Sequence, residues 1–241
     1  MTHFETEQIH QHDDERKNSP GIDIILFDAD STLVTIEGID ELAKHKHVEN
    51  GVVHLTHAAM EGKIPFERVY FERLDLIRPT YNDLVDIGFL YINNLTPGTE
   101  DVMRTLHRSG REIYIISGGF NPSIQMLGYA LGIPEENIFA NNFLFDETGN
   151  YLGVDTTINP TEGKFALWTD DGKAQVINYI QQLNPGKSTA MVGDGMGDWK
   201  AGQKTNKNIH FAGNATRTSI QKMADTIVYE QDLRAVLPYV L

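Results

Sequence analysis

Residues 22–30 read Ile22-Asp23-Ile24-Ile25-Leu26-Phe27-Asp28-Ala29-Asp30. The nearly continuous apolar run from Ile22 to Phe27 fits a strand buried on both faces, as in a parallel sheet, and it ends in two carboxylates. The same grammar recurs downstream. Glu112–Ile116 ends at Ser117-Gly118-Gly119, Thr189–Val192 ends at Gly193-Asp194-Gly195, and Asn208–Ala212 ends at Gly213. A shorter run, Thr226–Tyr229, suits an edge strand. Helical patterns lie between these strands. Residues 98–109 place Val102, Met103 and Leu106 on one stripe and stop at Gly110. A second helix runs from Pro122 to about Leu131 with Asn121 as its cap, and a third spans 173–183 with Val176, Ile177, Ile180 and Leu183 inward. Alternating strand and helix predicts an α/β fold, a Rossmann-like parallel sheet core.

Residues 34–94 break the alternation. They read as helices over about 37–47, 50–61, 65–77 and 80–92, too much chain for a crossover connection. The expectation is a small helical cap domain of residues 34–94 inserted after the first strand, on a core of 21–33 and 95–241. Residues 137–154 read as a hairpin of Ile138-Phe139-Ala140 against Tyr151-Leu152-Gly153-Val154. Residues 1–20 are polar, carry His3, His10 and His12, and read as a solvated disordered tail.

Composition narrows the function. The 241 residues include 20 Lys and Arg against 34 Asp and Glu, a net charge of −14, which disfavours a nucleic-acid partner. No apolar stretch suits a membrane span, and no secretory signal opens the chain, so the expectation is a cytoplasmic protein, monomer or homodimer. There is no cysteine, which excludes disulfides, thiolate nucleophiles and Cys-metal sites. Asn94-Leu95-Thr96 and Asn214-Ala215-Thr216 match the glycosylation pattern by chance.

In an open parallel sheet, ligands bind beyond the carboxyl ends of the strands. Asp28, Asp30, Ser117, Gly118, Gly119, Asp194 and Asp198 fall there. At about 4 Å and an effective dielectric of about 20, each pair of carboxylates repels by roughly 4 kcal/mol. A hard divalent cation with oxygen ligands relieves that repulsion, and Mg2+ suits a site that also takes phosphate. Asp28 and Asp30, two apart in extended chain, face the same way, so one can attack while the other moves a proton. Ser117 with the Gly118 and Gly119 amides can hold phosphoryl oxygens, and Lys173 supplies the cation, with Lys164 as its competitor. Gly193-Asp194-Gly195-Met196-Gly197-Asp198 meets neither the dinucleotide nor the Walker pattern.

These residues carry a resemblance. Phe27-Asp28-Ala29-Asp30-Ser31-Thr32-Leu33, Ile116-Ser117-Gly118-Gly119-Phe120, Lys173 and Gly193–Asp198 resemble, in order, the four motifs of the haloacid dehalogenase (HAD) superfamily of phosphatases. The segments 37–43, 59–63, Leu95-Thr96-Pro97-Gly98 and Phe139-Ala140-Asn141 are similar to its phosphoserine phosphatase branch. The resemblance, over about 22–240, implies hydrolysis of O-phospho-L-serine to serine and phosphate through an aspartyl phosphate on Asp28. Asp30 would be the proton carrier. It implies Mg2+ on Asp28, the Asp30 carbonyl and Asp194, phosphoryl contacts from Ser117, Gly118 and Lys173, and Asp198 supporting Lys173 or the metal. It places Glu37 on the substrate ammonium, Arg73 on its carboxylate, and Met60 and Phe66 over the substrate. A zwitterionic phosphomonoester does need one anion and one cation away from its phosphate, and Arg73 can grip a carboxylate bidentately. Two departures stand out. Gly197 occupies a position where the family carries a polar side chain, and 161–172, with Phe165, Leu167 and Trp168, runs long. Phosphoryl transfer to an amino alcohol such as homoserine is the alternative chemistry. A phospho-accepting receiver is the rival of another class, disfavoured by the inserted helices.

Overall fold

The computed structural model describes residues 21–60, 65–224 and 226–241, so the tail reading for 1–20 lies outside the described residues. Strand β1 (Ile24–Phe27) lies at the centre of a six-stranded sheet. Its side chains alternate between two apolar clusters, Ile25 and Phe27 on one face, Ile24 and Leu26 on the other. Both faces are therefore dry, which explains the unbroken apolar run.

Four helices follow β1: α1 (Gly38–His45), α2 (Glu49–Met60), α3 (Phe66–Ile77) and α4 (Tyr81–Asn93). The α4 start is a reciprocal cap: the Asp83 N–H donates to Thr80 Oγ1 and the Thr80 N–H to Asp83 Oδ2. An antiparallel bridge between Val34 and Leu95 closes the base of this insertion. The core resumes with α5 (Thr99–Arg108), β2 (Glu112–Phe120) and α6 (Ser123–Ala130). Then come β3 (Ile138–Asn141), β4 (Phe143–Phe145) and β5 (Tyr151–Val154). The chain closes with α7 (Gly172–Leu183), β6 (Thr189–Gly193), α8 (Met196–Gly202), β7 (Lys207–Phe211), α9 (Thr218–Gln221), β8 (Thr226–Val228) and α10 (Leu237–Val240). The sheet order is β3-β2-β1-β6-β7-β8, every neighbouring pair parallel, with β3 at one edge and β8 at the other. Among the described residues no helix is long and apolar enough to cross a membrane.

Three expectations need correction. Ile138–Asn141 does not form the hairpin; it pairs parallel to β2 at the sheet edge, and the hairpin is β4 with β5. A single residue, Asn142, separates β3 from β4, so one apolar segment serves two sheets. Helix α6 starts after Pro122, and Asn121 does not cap it. The Asn121 N–H bonds the Asn141 carbonyl and its Nδ2 bonds Asn142 Oδ1, which keeps it with the sheet. Finally, β2 does not stop at Ile116 but runs through Ser117-Gly118-Gly119 to Phe120, so the glycines extend a strand and lie short of the helix start.

Candidate active site

The ends of β1, β2 and β6, the N-terminal end of α7 and the loop beyond β7 converge on one cavity of about 320 Å³. Its lining includes Asp28, Asp30, Glu37, Arg73, Gly118, Gly119, Lys173, Asp194, Asp198 and Arg217. The two β1 carboxylates reach it through a turn. After β1 the chain coils over Ala29–Leu33, with Ser31 in the left-handed region at φ 52°. The extended-chain argument for Asp28 and Asp30 is thus replaced by a turn that gives each its own partners.

Asp28 is buried. Its Oδ1 accepts the Ala29 N–H at 2.8 Å and faces Lys173 Nζ at 2.8 Å. Lys173 also donates to Asp198 Oδ1 at 2.6 Å, while Asp198 Oδ2 accepts the Gly195 N–H at 2.9 Å. Burial, then Asp198, pushes the Asp28 carboxyl well above the usual range, against the pull of Lys173. Burial works the other way on Lys173, but Asp198 and Asp28 outweigh it and keep the ammonium charged. Lys164, the competitor, pairs with Glu162 at 3.6 Å and does not line the cavity.

Asp30 is held differently. The Gly38 N–H and the Tyr91 hydroxyl both donate to its Oδ1, each at 2.7 Å. Among the described residues nothing bonds Oδ2, which lies on the Gly119 side, toward the cavity. Burial pushes the Asp30 carboxyl up against the lowering effect of those two donors. Glu37 immediately precedes α1, accepts from Ser31 Oγ at 2.6 Å and faces Arg217 Nη2 at 3.6 Å. Burial, with Asp30 and Asp194 nearby, pushes it up to about 8. Arg73, on α3, lines the cavity with its Nε buried and unbonded. Met60 ends α2 and Phe66 opens α3; the side chains of both lie outside the described residues.

Ser117 is fully buried behind Gly118 and Gly119 and does not itself line the cavity. Its Oγ accepts the Gly119 N–H at 2.9 Å, leaving its own proton free to donate among the described residues. Arg217 was missed by the sequence reading. Its Nη2 and Nε lie 3.1 and 3.3 Å from Asp194 Oδ2. Its loop is moored by Asn214, whose Nδ2 donates to Thr96 Oγ1 at 2.6 Å and to the Val34 carbonyl at 3.3 Å. The two apparent glycosylation patterns therefore meet inside the fold. The available signal was position: Arg217 closely follows the end of β7.

Asp28, Asp194 and Asp198 offer carboxylate oxygens within 4.8 Å of one another, all buried. Asp198 has both oxygens committed, whereas Asp28 Oδ2 and Asp194 Oδ1 have no partner among the described residues. Burial, then Asp198, pushes Asp194 up to about 6 against Arg217. Two free hard oxygens in a site this crowded with carboxylates fit a divalent cation.

Carboxylates at adjacent parallel strand ends, a buried lysine across from the first and helices inserted after β1 define the class. The haloacid dehalogenase-like hydrolase family model matches residues 22–205, and the chain belongs to that family. Within it, the chain is 34% identical over 213 residues to the phosphoserine phosphatase of Rattus norvegicus, covering 88% of this chain and 92% of that one. It is 30% identical over 221 residues to the phosphoserine phosphatase of Methanocaldococcus jannaschii, covering 90% and 97%. A substrate-bound phosphoserine phosphatase structure superposes with a TM-score of 0.76 at 26% identity, over 92% of this chain and all of that one. A phospho-aspartyl intermediate analogue of phosphoserine phosphatase gives 0.75 at 28%, with the same coverage.

Proposed function

We propose that the protein is a phosphoserine phosphatase that hydrolyses O-phospho-L-serine through a phosphorylated Asp28. The observation that carries the reading is the division of labour between Asp28 and Asp30. Lys173 holds Asp28 ready for attack, while Tyr91 and Gly38 hold one Asp30 oxygen and turn the other to the cavity. A carboxylate oxygen of Asp28 attacks phosphorus, the bond to the serine oxygen breaks, and Asp30 gives that oxygen its proton. Asp30 then takes a proton from water, whose oxygen attacks the acyl phosphate and releases phosphate and free Asp28. The Ser117 hydroxyl, the Gly118 amide and Lys173 hold the phosphoryl oxygens, and Asp198 fixes Lys173. Asp28, the Asp30 carbonyl and Asp194 would hold Mg2+. When bound it neutralises phosphoryl charge so that an anionic nucleophile can approach an anionic ester.

Residues 34–94 act as a cap on a core of 21–33 and 95–241. Glu37 faces the substrate ammonium and Arg73 its carboxylate. The test is phosphate release from O-phospho-L-serine beside phosphothreonine, phosphoethanolamine and p-nitrophenyl phosphate, with magnesium and with chelator. Magnesium-dependent preference for phosphoserine is expected; hydrolysis of the aryl phosphate alone would remove the substrate and keep the chemistry. Open space at Gly197, where a Cβ would meet nothing within 4 Å, favours a second reading in which an amino alcohol replaces water. Phosphohomoserine among the products when homoserine is added would establish it.

A further inference from the structure

The phosphoryl end of the cavity is built on an irregularity between β2 and β3. Ile116 pairs with Phe139 and Phe120 with Asn141, so Ser117, Gly118 and Gly119 of β2 all stand opposite the single Ala140. Three residues facing one cannot all join the ladder, and the bulged backbone needs other partners. The peptide that joins Gly118 to Gly119 has a side chain at each end. Its carbonyl, on Gly118, accepts from Asn141 Nδ2 at 2.9 Å. Its N–H, on Gly119, donates to Ser117 Oγ, also at 2.9 Å. Asn141 is itself anchored: it is 1% exposed, and its own carbonyl accepts the Asn121 N–H at 2.9 Å. A serine hydroxyl that accepts from this peptide keeps its proton to give elsewhere. With the peptide turned over, the Gly118 carbonyl would face the hydroxyl and take that proton.

We propose that Asn141 is a positioning residue for phosphoryl recognition. By holding the Gly118 carbonyl, it keeps the Gly118-Gly119 peptide in the orientation that leaves the Ser117 proton for a phosphoryl oxygen. Asn141 does not line the cavity, and it acts through Ser117. The proposal rests on the reading of Ser117 as a phosphoryl ligand.

The test measures kcat/KM for wild type, Asn141→Leu, Ser117→Ala and the double variant on O-phospho-L-serine and on p-nitrophenyl phosphate, with magnesium. Leucine is close to asparagine in size and cannot donate; Asn141→Asp, which when ionised only accepts, repeats the comparison should the leucine variant not fold. Asn141→Leu is expected to lower kcat/KM about ten- to fiftyfold, and equally on both substrates, since both present a phosphoryl group. In the Ser117→Ala background the same substitution is expected to change kcat/KM by less than about twofold. The same loss in both backgrounds would show that Asn141 supports the fold and not the serine proton, and would overturn the proposal. So would wild-type activity in Asn141→Leu, or a loss confined to phosphoserine. Ser117→Ala with wild-type activity would refute the reading of Ser117, and this proposal with it.

Discussion

Replacing Gly38 by alanine tests the part assigned to Asp30. Gly38 opens α1, its N–H bonds Asp30 Oδ1, and its missing side chain makes room for Tyr91. A Cβ at this position would overlap the Tyr91 hydroxyl oxygen and come within 2.9 Å of Cζ. Ordinary carbon contact begins near about 3.5 Å, so the ring must retreat by at least about 0.6 Å at Cζ and farther at the oxygen. That breaks the 2.7 Å bond to Asp30. A hydrogen bond to a charged group contributes about 1.5–3 kcal/mol, so kcat should fall by about one to two orders of magnitude. Tyr91→Phe removes the same bond and the oxygen that clashes. The double variant Gly38→Ala/Tyr91→Phe should therefore be little worse than Tyr91→Phe alone. The assay is steady-state phosphate release, with thermal melts confirming the fold. Gly38→Ala with kcat within twofold of wild type would rule out this role of the Tyr91 bond, as would a double variant whose loss equals the product of the single losses.

Asp28→Asn should abolish turnover without lowering the melting temperature measured in chelator, since it removes one of three crowded buried carboxylates. Lys173→Met leaves Asp28 and Asp198 without their cation and should cost about 3–5 kcal/mol by urea titration, part of it recovered on adding magnesium. Magnesium should raise the melting temperature of wild type and leave that of Asp194→Asn unchanged; an equal rise in both would exclude Asp194 as a ligand. Burial alone would raise the Asp83 carboxyl, but Lys46 and Thr80 outweigh it and hold it below the usual range. A lowered folded pKa contributes stability above the unfolded value, about 4, and loses it as pH falls through the folded value. Asp83→Asn should thus flatten the fall in stability below about pH 4, read from urea titrations at pH 5 and pH 3.

The legible parts of the fold are those in which local pattern and final burial coincide. The apolar stretch ending at Phe27 announced the central strand because both faces of β1 are covered. The four inserted helices were readable within about two residues, and α1, α3 and α4 each bury apolar residues at helical spacing. The role of Ile138–Asn141 was not, because an apolar four-residue segment is compatible with either of two partners and the sheet edge decides. In the site, Asp28, Asp30 and Asp194 could be found from strand ends, and Lys173 and Asp198 from the first turns of the helices beside them, which the topology brings together. Arg217 had only its place beyond β7 to mark it, and Tyr91 had nothing, because their importance lies in long-range contacts to Asp194 and Asp30. Asn141 belongs with them, its bond to Gly118 spanning a strand pair misassigned in the sequence reading.

The strand order β3-β2-β1-β6-β7-β8 has a consequence for how the molecule is made. Strand β1 leaves the ribosome more than 160 residues ahead of β6, one of its two neighbours, which is complete only at residue 193. Until then an apolar strand meant to be covered on both faces has an unpaired edge, the feature that templates aggregation. Lys173 precedes β6 in the chain, and Arg217 follows β7, so the cations that offset the crowded acids also arrive late. A chain interrupted between β2 and Lys173 would present the strand that ends at Asp28 with one of its two neighbours and without Lys173 or Arg217. Such a fragment is a candidate for chaperone capture and proteolysis, while the site is assembled only after β6 and Arg217 have been made.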